Sequence, residues 1–180
     1  ALNCFPPGYI IRYEPATTAI NEGSWGWAVF LFPYLENDPL YKQLVPNKRT
    51  MKECGQNTNI PAPRGPVPLP GDLLLQTVLQ GMRCPSDTTP DLLPAALRAF
   101  SAAAVEPATS NYIAVAGFFD RAGNYSNNGV LAPNKACKFR DMIDGTTNTI
   151  VVSERHRGCG SGNWAGPPDT LNPNYTAMYH

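Results

Sequence analysis

Asp144-Gly145-Thr146-Thr147-Asn148-Thr149-Ile150-Val151-Val152-Ser153-Glu154 carries the strongest β signal in the chain. A turn dipeptide opens it, and β-branched residues, which fit the half-buried pleat of a sheet, run through it. Residues 146–154 are therefore read as a strand. Upstream, Ser110-Asn111-Tyr112-Ile113-Ala114-Val115-Ala116-Gly117 reads as a second strand ended by glycine. Proline and glycine limit what surrounds these strands. The chain of 180 residues holds 19 Pro and 15 Gly, and a proline inside a helix removes a hydrogen bond and clashes with the preceding turn. The expectation is an α+β, β-rich fold with a small antiparallel sheet, short helices and long Pro/Gly-rich loops.

The helical signals are brief. Ser24-Trp25-Gly26-Trp27-Ala28-Val29-Phe30-Leu31-Phe32 ends as a continuous apolar run, which period alone assigns equally to a buried strand or a short core helix. Pro33-Tyr34-Leu35-Glu36 starts a helix, with Leu35, Leu40 and Leu44 on its inner face and Pro39 interrupting it. Asp72 caps a helix over 73–82 that presents Leu74, Leu75, Val78, Leu79 and Met82 at helical spacing. Residues 139–143 read as one helical turn. Residues 46–70 hold six prolines and read as a long loop with polyproline-like segments. The tail from 158 is rich in Gly, Pro and Asn, with an edge strand expected over 175–179.

Lys plus Arg equals Asp plus Glu at 14 each, which excludes a strongly basic nucleic-acid binder. Only 16% of residues are charged, yet 43% are hydrophobic, enough to bury a core. The longest apolar run, residues 27–32, is far shorter than a membrane helix needs. The chain begins at Ala1, for which a processed start is the expectation.

Cys4, Cys54, Cys84, Cys137 and Cys159 have no CxxC spacing, which argues against a zinc ribbon or a thioredoxin-like site. Wide spacing reads as disulfide partners in an oxidising compartment, against buried thiols as the alternative. Pairing sequence neighbours gives Cys54–Cys84 and Cys137–Cys159 and leaves Cys4 unassigned; other connectivities stay open. Asn124-Tyr125-Ser126 and Asn174-Tyr175-Thr176 are sequons, relevant in a secreted chain.

Other chemistry is sparse. His156 lies in Glu154-Arg155-His156-Arg157, where two cations discourage a base role and a solvated strand end is the plainer reading. His180 is the last residue. The glycine-rich run 158–162 lacks the lysine and helix of a phosphate loop. Asp141, Asp144 and Asn148 are weak candidates for calcium, since the twelve-residue calcium-loop pattern is missing and a turn explains Asp144-Gly145. Trp25, Trp27 and Trp164 fit sugar platforms or core anchors. No acid–base–nucleophile grouping is legible, so no enzyme and no cofactor are expected.

Several short strings keep one order: Phe5-Pro6-Pro7-Gly8; Ser24-Trp25, then Phe32-Pro33-Tyr34-Leu35-Glu36 and Leu40-Tyr41; Arg83-Cys84-Pro85-Ser86-Asp87; Ser110-Asn111-Tyr112-Ile113-Ala114; and residues 144–150 running to Glu154. In this the chain, over about residues 2–155, resembles the DUF1559 family of pilin-like proteins of planctomycete-type bacteria. The resemblance implies a pilin-like globular head, no enzymatic activity and a place at the cell surface or outside the cell. The family's long apolar N-terminal helix, through which alone a membrane contact is implied, does not occur in the sequence. Nor does its closing His-Pro-Gly-Gly stretch.

The expectation is one globular domain over 1–180, with an N-terminal arm (1–13), a pilin-like head (14–155) and a loop-rich tail (156–180). Its expected role is an extracellular or cell-surface structural subunit whose partner is itself, in a filament, pilus-like fibre or sheath. The contacts are expected from the 1–13 arm, the 60–70 arm and the tail from Trp164. The rival reading is a module binding an envelope glycan or protein.

Overall fold

A computed structural model describes residues 3–10, 25–47, 51, 54, 74–93, 106–119, 125–126, 128–156 and 162–166. Within them the fold is α+β: short helical turns and small antiparallel sheets. Strand β1 (Thr109–Ser110) pairs with β6 (Gly162–Asn163), β2 (Tyr112–Ala114) with β5 (Val152–Glu154), and β3 (Phe118–Phe119) with β4 (Tyr125–Ser126). The central register sets Tyr112 opposite Glu154, Ile113 opposite Ser153 and Ala114 opposite Val152.

Both strands read from the sequence occur, and both are shorter than expected. Residues 146–148 wind into a 3₁₀ turn. The Asn148 amide donates to the Asp144 carbonyl at 3.0 Å and the Thr149 hydroxyl to the Gly145 carbonyl at 2.9 Å. Such local side-chain bonds give the backbone an alternative to the ladder, and pairing begins only at Val152. The upstream strand breaks at Asn111, whose side chain is used elsewhere.

The run 24–32 resolves as helix: α1 (Trp27–Leu31) is followed by a 3₁₀ turn, Phe32–Tyr34, and then by α2 (Asp38–Leu44). Pro39 does not interrupt α2. It sits in the first turn, where a missing N–H leaves no bond unmade. Leu40 and Leu44 face the core, whereas Leu35 is 46% exposed. Residues 139–141 form the expected single turn.

The helix expected over 73–82 is a correction. Among the described residues of that stretch, only Leu74 and Leu75 are α-helical, with a 3₁₀ turn at Gln80–Met82. The Thr77 carbonyl, which a helix would offer to Gly81, accepts the indole N–H of Trp164 instead. The apolar residues still reach the core, because Leu74, Leu75, Leu79 and Met82 are buried with Trp25, Phe32, Leu44 and Trp164.

A second, smaller cluster joins Ala114, Val130, Leu131 and Cys137, with Phe5 packed against it. The N-terminal segment is thus part of the head. Gly8 donates to the Ala132 carbonyl at 3.0 Å, and its own carbonyl accepts from Trp27 at 2.7 Å. The described part of the expected arm, residues 3–10, lies on its own chain. The 60–70 segment and the tail beyond 166 lie outside the described residues, as does the edge strand expected over 175–179. No described helix is long and apolar enough to cross a membrane.

Candidate functional site

Two constructions stand out among the described residues, a buried polar clamp and an uncharged surface groove. The clamp centres on Asn111, which is buried. Its Oδ1 accepts the Cys84 backbone N–H at 3.0 Å. Its Nδ2 donates to Asp87 Oδ2 and, at 3.0 Å, to the Arg155 carbonyl. Its backbone N–H donates to the Met82 carbonyl at 2.9 Å, and its carbonyl accepts from Arg155 at 2.7 Å. One asparagine therefore ties together the segment 82–87, the break between β1 and β2, and the end of β5.

Asp87 completes the clamp. Its Oδ1 accepts the Thr89 backbone N–H at 3.0 Å and lies 3.8 Å from His156 Nε2. The side chain is only 3% exposed. The Thr89 amide holds the carboxyl down from 3.8 to about 2, against the opposing effect of burial and with smaller help from Asn111 and His156. At neutral pH this carboxylate is therefore ionised and acts as an acceptor for the Thr89 and Asn111 N–H groups. Arg83 is buried beside it, donating Nη2 to the Thr89 carbonyl at 2.7 Å with Nε 3.6 Å from Asp91. The Cys84 thiol lies 3.1 Å from the Ser86 hydroxyl.

The groove has a volume of about 520 Å³. Residues 4–7 form one wall; Phe30, Leu31, Pro33, Tyr34 and Tyr41 form the other, and Ala136 also lines it. No charged residue lines it. The first wall is held by an antiparallel bridge between Cys4 and Lys138 and by a 2.7 Å bond from Phe5 N–H to the Cys137 carbonyl. The Phe5 ring lies 4.8 Å from that of Phe139, tilted by 54°. The second wall follows from α1: Ala28 and Val29 take the core, which leaves Phe30 and Leu31 half-buried, with Phe30 packed on the margin of the core. Tyr34, next in line, is 72% exposed.

The residues singled out in the sequence distribute unevenly. Asp141 Oδ2 accepts the Lys138 backbone N–H at 2.9 Å, and the Asn148 amide goes to a backbone carbonyl. No three His, Cys, Asp or Glu side chains among the described residues are placed to hold a metal ion. Cys4, Cys54, Cys84 and Cys137 are unbridged here, while Cys159, Asn124, Asn174 and His180 lie outside the described residues. Trp25 and Trp164 are core anchors, not platforms, and Trp27 is half-buried. The tail therefore begins inside the core at Trp164. His156 is exposed as expected, but it sits over Asp87. Sequence reading missed the clamp role of Asn111 and Asp87, and the grouping of Phe30, Tyr34 and Tyr41 along the groove. The two strings 83–87 and 110–114 carried the only signal for the clamp.

The family described as "Protein of unknown function (DUF1559)" matches residues 1–179 of the chain. The chain belongs to this family, and the match runs beyond residue 155 through the tail. No curated protein and no solved structure matches it.

Proposed function

We propose that this chain is a non-enzymatic extracellular structural protein, a subunit that associates with copies of itself into a filament, a pilus-like fibre or a surface sheath. The observation that carries this reading is the uncharged groove with Tyr34 standing at its edge. An apolar surface of this kind is a mark of protein contact. Zero net charge leaves copies of the chain with little mutual repulsion. Grooves lined by aromatic residues accept extended proline-rich segments, and the sequence 60–70 supplies one, with Pro61, Pro63, Pro66, Pro68 and Pro70. This reading seats that stretch of one copy in the groove of the next. It needs no cofactor.

The test is the assembly state. Light scattering and negative-stain microscopy of the purified chain are expected to reveal large assemblies, and the change Tyr34→Lys, at an exposed side chain, to leave monomers of unaltered melting temperature. A wild-type chain that stays monomeric at high concentration sinks the reading. The second reading, a module binding an envelope glycan or protein, draws on the two tyrosines lining the same groove. Saturable tyrosine fluorescence changes on titration with envelope glycans, without assembly, would favour it.

A further inference from the structure

We infer that residues 149–153 form a self-pairing edge: the outer side of β5 in one copy adds antiparallel to the same strand of a second copy, about a two-fold axis at Val151. The inference rests on the self-association reading and supplies a contact that the groove does not.

The observation that carries it is a chemical palindrome on an open strand edge. Thr149-Ile150-Val151-Val152-Ser153 reads hydroxyl, branched apolar, valine, branched apolar, hydroxyl from either end. The stretch is extended, with Thr149 at φ −114° and ψ 119° and β5 starting at Val152. The Val115 N–H donates to the Val151 carbonyl at 3.0 Å, and the Arg155 N–H to the Asn111 carbonyl at 2.7 Å. Residues 151, 153 and 155 therefore turn their backbone groups toward β2. Direction alternates along an antiparallel pair, so the backbone groups of Ile150, Val152 and Glu154 face away from β2. No other described strand pairs with β5. The side chains at these positions also meet solvent: Ile150 is 69% exposed and Val152 36%. Charge, proline or a bulge blunts most natural edges, and residues 149–153 hold neither a charge nor a proline.

The palindrome selects the occupant. An axis at Val151 sets Ile150 opposite the partner's Val152 and Thr149 opposite the partner's Ser153, and each contact is made twice. Branched apolar pairs and hydroxyl pairs are favourable cross-strand neighbours. An axis at Val152 would set Ile150 against the partner's Glu154. An axis at Ser153 would set Val152 against the same carboxylate, and one at Glu154 would oppose two like charges. A two-fold contact must be self-complementary, and of these axes the one at Val151 meets that demand. Five residues are too few to hold two free copies, because a stable interface buries more than about 1,000 Å². The groove contact runs head to tail and lines copies up in a row. A row presents many β5 edges, whose pairings reinforce one another. The structure expected is two rows joined side by side through β5.

The experiment compares the full chain with Ile150→Lys, Ile150→Val and Tyr34→Lys. Mass per unit length, from electron microscopy of the assemblies, is expected to fall about twofold in Ile150→Lys and to hold its wild-type value in Ile150→Val. Deuterium exchange read by mass spectrometry is expected to be at least about tenfold slower over residues 149–153 in the wild-type assembly than in monomeric Tyr34→Lys. An unchanged mass per length in Ile150→Lys, or equally fast exchange over 149–153 in the two samples, overturns the pairing while the groove reading stands. A wild type that stays monomeric overturns both. The exchange comparison decides even where Ile150→Lys fails to fold.

Discussion

The indole N–H of Trp164 donates to the Thr77 carbonyl at 2.9 Å, joining two residues 87 positions apart. Trp164 is 2% exposed and its ring lies 5.2 Å from that of Phe32. The half-buried Thr77 carbonyl and the indole N–H of the buried Trp164 satisfy one another at the margin of the core. Trp164→Phe keeps an aromatic ring but removes the indole N–H that the Thr77 carbonyl accepts and leaves a gap where the second ring stood. Together these cost about 2–3 kcal/mol. The melting temperature followed by circular dichroism is expected to fall by about 5–10 °C. A fall below about 1 °C would mean that Trp164 is not a core residue.

Asp87 sets the acid limit of the clamp. Its folded-state pKa lies at about 2, below the ordinary 3.8, chiefly through the Thr89 amide. A depressed carboxyl pKa binds fewer protons in the folded than in the unfolded chain, so the stability it contributes is complete above 3.8 and is lost as pH falls toward 2. Asp87→Asn removes that charge while keeping the shape. Urea unfolding midpoints of the wild type minus those of the variant are expected to be positive and constant at neutral pH, then to shrink across that window. A difference that does not change with pH there would exclude Asp87 as the titrating fastener.

What could be read locally was read, and what depended on distant partners was not. The turn at 139–141 and the burial of Leu74, Leu75, Leu79 and Met82 follow from residues close in sequence. The helix over 73–82 fails because the Thr77 carbonyl is claimed from 87 residues away, which no local period records. Residues 83–87 and 110–114 were visible as ordered strings. Their meeting at Asn111 depends on bonds spanning 24 and 44 positions, to Asp87 and Arg155. The helix-or-strand ambiguity of 24–32 was likewise local. It is settled by the two core side chains, Ala28 and Val29, which sit side by side on α1 where a strand would have sent them to opposite faces.

Gly8 tests whether the N-terminal segment is structural. A Cβ at this position would stand 1.8 Å from the Leu131 carbonyl oxygen, a backbone atom that cannot yield cheaply. The same residue bonds Ala132 and Trp27, so it cannot retreat without breaking both contacts. Gly8→Ala is therefore expected to cost about 3 kcal/mol or more and to lower the melting temperature by several degrees. Gly81→Ala, where nothing lies within 4 Å of the new methyl, serves as the control and is expected within about 0.5 kcal/mol of wild type. By the same contacts, removing residues 1–13 strips Phe5 from the smaller core cluster and leaves the Trp27 amide without Gly8. The truncated chain is expected to lose cooperative unfolding and not to persist as a folded monomer. Equal melting temperatures for Gly8→Ala and Gly81→Ala, or a truncated chain that unfolds as sharply as the full one, would return residues 1–13 to the role of a free arm.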